Sequence, residues 1–130
     1  MPAYSAGGSP TSIAQGDVVT VWNAETPTAG AGGASASQQV AMVFRTGRPN
    51  TPAAIDAKFS GAPGAFEVDV QAAAIDADTN YQTVANGNIT AVDSTNNTFH
   101  FDYNGTAKFL RLLMRSRTNA VSMTATITGG

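Results

Sequence analysis

The chain contains no cysteine, a single histidine and a single tryptophan, and only 12% of its 130 residues are charged. Without cysteine there is no disulfide framework, no thiol nucleophile and no thiolate metal site. One histidine, His100, excludes a metal centre built from several imidazoles. A formal net charge of −2 argues against a protein whose main task is to grip nucleic acid or an anionic membrane. No run approaches the ~20 apolar residues that span a bilayer. The start also lacks the basic-then-apolar pattern of a secretory signal, so the expectation is a soluble chain made in a cytoplasm. At 13.3 kDa the chain is long enough for one domain that buries roughly two-thirds of its unfolded surface.

What is present divides unevenly. Residues 1–37 are dominated by Ala, Gly, Ser, Thr and Pro, and only Ile13 and the run Asp17-Val-Val-Thr-Val-Trp22 carry apolar weight. Residues 1–16 read as an extended arm, 17–23 as one strand and 24–37 as a flexible loop, whose few apolar groups cannot offset its ordering entropy. From residue 38 onward the pattern has period two, as half-buried strands require. Val40, Met42 and Phe44 share a face, as do Ile55, Ala57 and Phe59, and Phe66, Val68 and Val70. Ala72-Ala-Ala74 is too short to nucleate a helix and reads as the end of a strand.

Short strands follow at 81–84 and 89–93, joined by Asn86-Gly87. Phe99, Phe101 and Tyr103 alternate with His100 and Asp102, and Asn104-Gly105 then predicts a two-residue hairpin, since both positions tolerate positive φ. Counting outward from that turn pairs Phe101 with Lys108 and Phe99 with Leu110. Leu110, Leu112 and Met114 then join the aromatic face, while Arg111, Leu113, Arg115 and Arg117 point away. A last strand at 121–128 alternates Val121, Met123, Ala125 and Ile127 with Ser and Thr. Roughly eight or nine short strands at intervals of about 8–12 residues, with no amphipathic helix, predict an all-β, antiparallel sandwich of jelly-roll type. It occupies residues 38–130 and carries an N-terminal arm and loop at 1–37.

Few constellations point to chemistry. His100 and Asp102 lie on one face of a strand, the spacing of a general-base pair or half a metal site, but Ser94 and Thr95 nearby have no orienting motif. Asp76-Ala-Asp78-Thr-Asn80 begins like a calcium loop. Tyr81 then stands where an EF-hand needs Gly, and Gly87 where it needs Glu, so a turn capped by its own side chains is expected. Lys108, Arg111, Arg115 and Arg117 hold four of the seven basic residues. A basic strip can contact phosphate, but Glu67 and Asp69 occupy the outward face of another strand, and cross-strand or intersubunit ion pairing is the competing expectation. Asn88-Ile-Thr90, Asn96-Asn-Thr98 and Asn104-Gly-Thr106 match the glycosylation pattern and read as coincidence in a Thr-rich chain. No catalytic, cofactor-binding or metal residue is therefore assigned, and no cofactor is expected. Arginine and aromatic anchors dominate interface energetics, which makes Trp22, Arg45, Arg48, Arg111 and Arg115 the contact candidates.

The run Phe59-Ser-Gly-Ala-Pro-Gly-Ala-Phe-Glu-Val-Asp-Val-Gln71, the 76–81 turn, Lys108-Phe-Leu-Arg111 and the 121–128 strand with Gly129-Gly130 supply a further indication. Together they resemble small β-sandwich structural proteins of tailed-bacteriophage virions, especially head decoration and auxiliary proteins. The likeness covers a little over half the chain, in turns and alternation, and residues 1–58 have no counterpart in it. It implies a non-enzymatic virion protein, assembled in the host cytoplasm, that seats on the major capsid protein as a homo-oligomer and binds neither nucleic acid nor membrane. A tail, neck or fibre component and a carbohydrate-binding module share the pattern. The latter needs an exposed aromatic platform, for which Trp22, Tyr4 and Tyr81 are the candidates.

Overall fold

The computed structural model describes residues 11–14, 16–26, 40–45, 52–75, 78–105, 107–119 and 121–129. Among them are nine strands: β1 (Thr11–Ile13), β2 (Val18–Glu25), β3 (Val40–Arg45), β4 (Ala53–Phe59), β5 (Phe66–Ala73), β6 (Gln82–Ile89), β7 (Thr98–Tyr103), β8 (Phe109–Arg117) and β9 (Met123–Thr128). The 76–81 segment contributes one 3-10 turn, Asp78–Asn80, while Asp76 lies outside the described residues. The strands form a five-stranded sheet in the order β1-β3-β8-β5-β6 and a four-stranded sheet in the order β2-β9-β4-β7. All pairings are antiparallel except β1 with β3.

Both sheets turn their apolar faces onto one core. Ile55, Ala57 and Phe59 of β4, Phe99 and Tyr103 of β7 and Met123, Ala125 and Ile127 of β9 share it with Val68 and Val70 of β5 and Leu110, Leu112 and Met114 of β8. Phe66 of β5 bridges the layers, its ring centroid 5.0 Å from that of Phe59 and 6.3 Å from that of Phe99. Alternation on β4 and β9 is strict, because their other faces meet solvent. The inner pair of the larger sheet departs from it. Arg111, Leu113, Asp69 and Gln71 point away from the core, as their alternation predicts, yet all four are buried.

Three expectations are corrected. First, β7 and β8 are not a hairpin. β7 pairs with β4, setting Phe101 against Ile55, whereas β8 pairs with β3 and β5. Neither Asn104 nor Gly105 takes positive φ, so the hairpin turn never forms and the chain crosses between sheets. The Tyr103 hydroxyl accepts the Ala107 N–H at 3.2 Å in this crossing, and a Cβ on Gly105 would fall 2.2 Å from that hydroxyl. Second, Asn86-Gly87 does not join two strands but bulges one. Thr83 faces Gln71 and Asn88 faces Asp69, Asn86 sits at φ 61°, and a Cβ on Gly87 would lie 2.8 Å from the Val70 carbonyl. Third, a bulge at Glu67/Val68 places Ser116 opposite Glu67 and Arg117 opposite Phe66, so Arg117 leaves the face of Arg111 and Arg115.

The sandwich also begins earlier than residue 38. β1 and β2 belong to its two sheets, and Ile13, Val21 and Trp22 are fully buried. Val21 and Trp22 both point inward because β2 is bulged between Thr20 and Trp22. The arm at 1–10 and the loop at 27–39 lie outside the described residues. Ile13→Ala is expected to cost about 2–5 kcal/mol in urea denaturation, as core truncations do. Val18→Ala, at a position 61% exposed, is expected to stay within about 0.5 kcal/mol. Equal effects would remove β1 from the core.

Candidate functional site

The chemistry-bearing side chains lie on the outer faces of the two sheets. On the four-stranded sheet, β4 and β7 run in unbroken register with Asp56 opposite His100. Alternation turns both outward, and Asp102 follows two residues later on the same face. His100 stands between the two carboxylates: Nδ1 is 2.6 Å from an Asp56 oxygen and Nε2 is 2.8 Å from an Asp102 oxygen. Both contacts are satisfied at once only if each nitrogen donates, which is the imidazolium form. The His100 pKa is accordingly raised above 6.5, chiefly by the hydrogen bond to Asp56, with Asp102 adding to it and burial opposing. An imidazolium donating from both nitrogens holds no lone pair, so this geometry does not present His100 as a base. Asp102 was legible in the sequence as a neighbour of His100; Asp56, 44 residues away, was not.

The clamp borders an open concavity of 670 Å³ whose polar lining comes from Asp56, Lys58, Asp93, Thr98, His100, Thr124 and Thr126. Its floor is the solvent face of β4, β7 and β9. Among the described residues no group of three or more His, Cys, Asp or Glu side chains is placed to hold a metal ion.

The five-stranded sheet carries a connected polar layer. Arg111 Nε donates to Gln71 Oε1 at 2.7 Å, Gln71 Nε2 to Thr83 Oγ1 at 3.4 Å, and Thr83 Oγ1 to Asp69 Oδ2 at 3.2 Å. Asp69 also accepts Asn88 Nδ2 at 2.6 Å and Arg115 Nε at 2.7 Å, and forms an ion pair with Arg115 Nη2. Glu67 accepts from Asn88 and Ser116 at the end of the layer. The Arg111 guanidinium lies 4.0 Å above the centre of the Tyr81 ring, within cation–π distance. Cross-strand ion pairing, one of the two expectations for the basic strip, is thus what Asp69 and Arg115 do. The layer exists because β5 alternates acids and an amide outward beside a strand that alternates arginines.

These placements revise the contact candidates. Trp22 and Arg111 are fully buried and offer no surface to a partner, Trp22 because the β2 bulge turns it inward and Arg111 because Gln71 and Tyr81 enclose it. Arg115 is 32% exposed but committed to Asp69. β3 ends at Arg45, and both its side chain and Arg48 lie outside what is described. Tyr81 is buried beneath Arg111, so neither it nor Trp22 is a glycan platform, and Tyr4 lies outside the described residues.

No family model matches the chain, and neither a curated protein nor a solved structure is similar to it.

Two outcomes follow from these geometries. The folded His100 ring is expected to titrate above 6.5 by NMR, with Asp56→Asn lowering the midpoint more than Asp102→Asn. Because the folded value lies above the unfolded one, the clamp's contribution is complete below about 6.5 and is lost as pH rises through the folded midpoint. A midpoint at or below 6.5 would contradict the clamp. Arg115→Ala leaves Asp69, 2% exposed, without its cation and is expected to cost about 1–3 kcal/mol, read from the urea midpoint. A neutral result would make the pair incidental.

Proposed function

We propose that the chain is a non-enzymatic structural module of a tailed-phage virion, a decoration protein that seats on the shell of the major capsid protein as a homo-oligomer. The observation that carries this reading is the connectivity. With β1 set aside, β3-β8-β5-β6 faces β2-β9-β4-β7, and only β5 and β6 are neighbours both in sequence and in a sheet. We read this as a jelly roll, an architecture used by viral capsid and lectin domains. Such wrapping ties all but β6 of these eight strands to partners that do not adjoin them in sequence, and suits a stiff building block.

The side chains support the same view. The buried arginine and tryptophan stabilise the module rather than serve a substrate, and His100 is held by two carboxylates. Contacts with the shell fall to the Ala/Gly/Ser-rich segments at 1–10 and 27–39 and to Arg45 and Arg48. Low charge suits a contact surface, because the cores of interfaces are depleted of charged residues.

The arm is tested by deleting residues 2–10, a cut that spares Ile13 in β1. The truncated chain is expected to keep its β-type circular dichroism and to lose attachment to particles in co-sedimentation. Unchanged attachment would count against the arm. A gold-labelled tag on the intact chain in purified particles is expected on the shell. Label along the tail would favour a tail, neck or fibre component instead, the concavity over β4, β7 and β9 then remaining the surface for glycan-array trials.

A further inference from the structure

The four sheet edges are not equivalent. β1 is three residues long, β2 has two register shifts and a residue at positive φ, and β6 is bulged at Asn86-Gly87. Short length and bulges are how natural edges avoid pairing with other chains. β7 has neither, since its six residues pair with β4 from Ala53↔Tyr103 to Lys58↔Thr98 without a shift.

The backbone of β7 is also presented outward. Phe59 N–H bonds to the Asn97 carbonyl, so the odd-numbered residues of this run bond toward β4. The Thr98 carbonyl faces the other way and accepts Asp93 N–H. By the same alternation, the N–H and C=O groups of His100 and Asp102 point to the open edge. Phe101 is the one core-face residue of β7 left half-buried; Phe99 and Tyr103 on either side are buried. It lines a 400 Å³ cleft between β7 and the bulge of β6, with Val84 and Asn86 opposite.

We infer that β7 is the interface between two copies of this chain, pairing antiparallel about a twofold axis at Phe101. That register sets His100 of each copy opposite Asp102 of the other, a cross-strand pair of opposite charge on the outer face. The Asp56–His100 contact then extends across the axis as each Nε2 exchanges Asp102 of its own chain for Asp102 of the other copy, giving two rows of carboxylate, imidazolium and carboxylate. The two Phe101 rings meet on the inner side and cover each other over the cleft. Two four-stranded sheets become one of eight, and the open backbone groups of His100 and Asp102 are paired, the strand-addition mode of association. The inference deepens the self-association part of the functional reading and names its surface.

The test uses the full chain in light scattering at about pH 6, where His100 is charged. Wild type is expected to be a dimer. His100→Asp sets a carboxylate against Asp102 of the other copy, and Asp102→Lys sets an ammonium against its His100. Each variant alone is therefore expected to weaken self-association by about tenfold or more. Mixed together they are expected to dimerise again. The carboxylate introduced at position 100 then meets the ammonium introduced at position 102, and the unaltered Asp102 of one chain meets the unaltered His100 of the other. A role of these side chains confined to one copy cannot produce that rescue. Phe101→Cys supplies a second readout in a chain without cysteine, forming a disulfide-linked dimer under oxidising conditions. A monomeric wild type, or a mixture that stays monomeric, would overturn the interface. Shell labelling is scored separately, so a dimer absent from the shell would sink the decoration reading and leave this interface standing.

Discussion

The fold rests on the burial of two apolar sheet faces against each other, with the Phe66 ring placed between Phe59 and Phe99 where the layers meet. Neither sheet can hide its apolar face alone. The chain meets that requirement by sending almost every successive strand to the opposite layer, so that β4 and β9, or β5 and β8, pair across long stretches of sequence. The entropy of closing those loops is recovered only once both layers are assembled, and folding of such topologies is slow and cooperative as a result. Trp22 and Ile13 are drawn into the same core from a segment whose composition otherwise suggests little structure.

On the larger sheet two charged side chains, Asp69 and Arg111, are held inside the chain. Asp69 lies in the centre of the larger sheet and is satisfied by three side chains from β6 and β8, while Arg111 is held by an amide and an aromatic ring. A buried carboxylate is tolerated only with such partners. On the smaller sheet the charges stay in water, where His100 and its two carboxylates form a compact, nearly self-neutralising cluster beside an unblunted edge. The two outer faces therefore differ in kind: one is locked, the other available.

Faces were legible in the sequence and partners were not. Alternation is a property of one strand, and it set His100 and Asp102 on the face opposite Phe99, Phe101 and Tyr103 without reference to anything else. Leu110, Leu112 and Met114 were put on the core face by a hairpin register that does not form, and they are buried there all the same. Pairing is a property of two strands far apart, and here the local signal misled. Asn104-Gly105 has hairpin chemistry, yet the apolar faces of β7 and β8 find each other across the sandwich instead of side by side. The bulges in β2, β6 and β8 each add residues to one strand without a mark in the hydrophobic pattern, which is why Trp22 joins Val21 in the core and Arg117 leaves the face of Arg111. Of the clamp, Asp102 was visible by proximity, whereas Asp56 needed the β4–β7 register. Only the Asp69–Arg115 pairing crossed strands and was still foreseeable, because acids and arginines alternate on two strands of matching phase.

Backbone NOE spectroscopy of the labelled chain tests the wrapped connectivity most directly. The account predicts a short Hα–Hα contact between Asp56 and His100, neighbours at a non-hydrogen-bonded site of β4 and β7. Cross-strand backbone contacts joining Phe99 to Leu110 would put β7 and β8 in one sheet and contradict it.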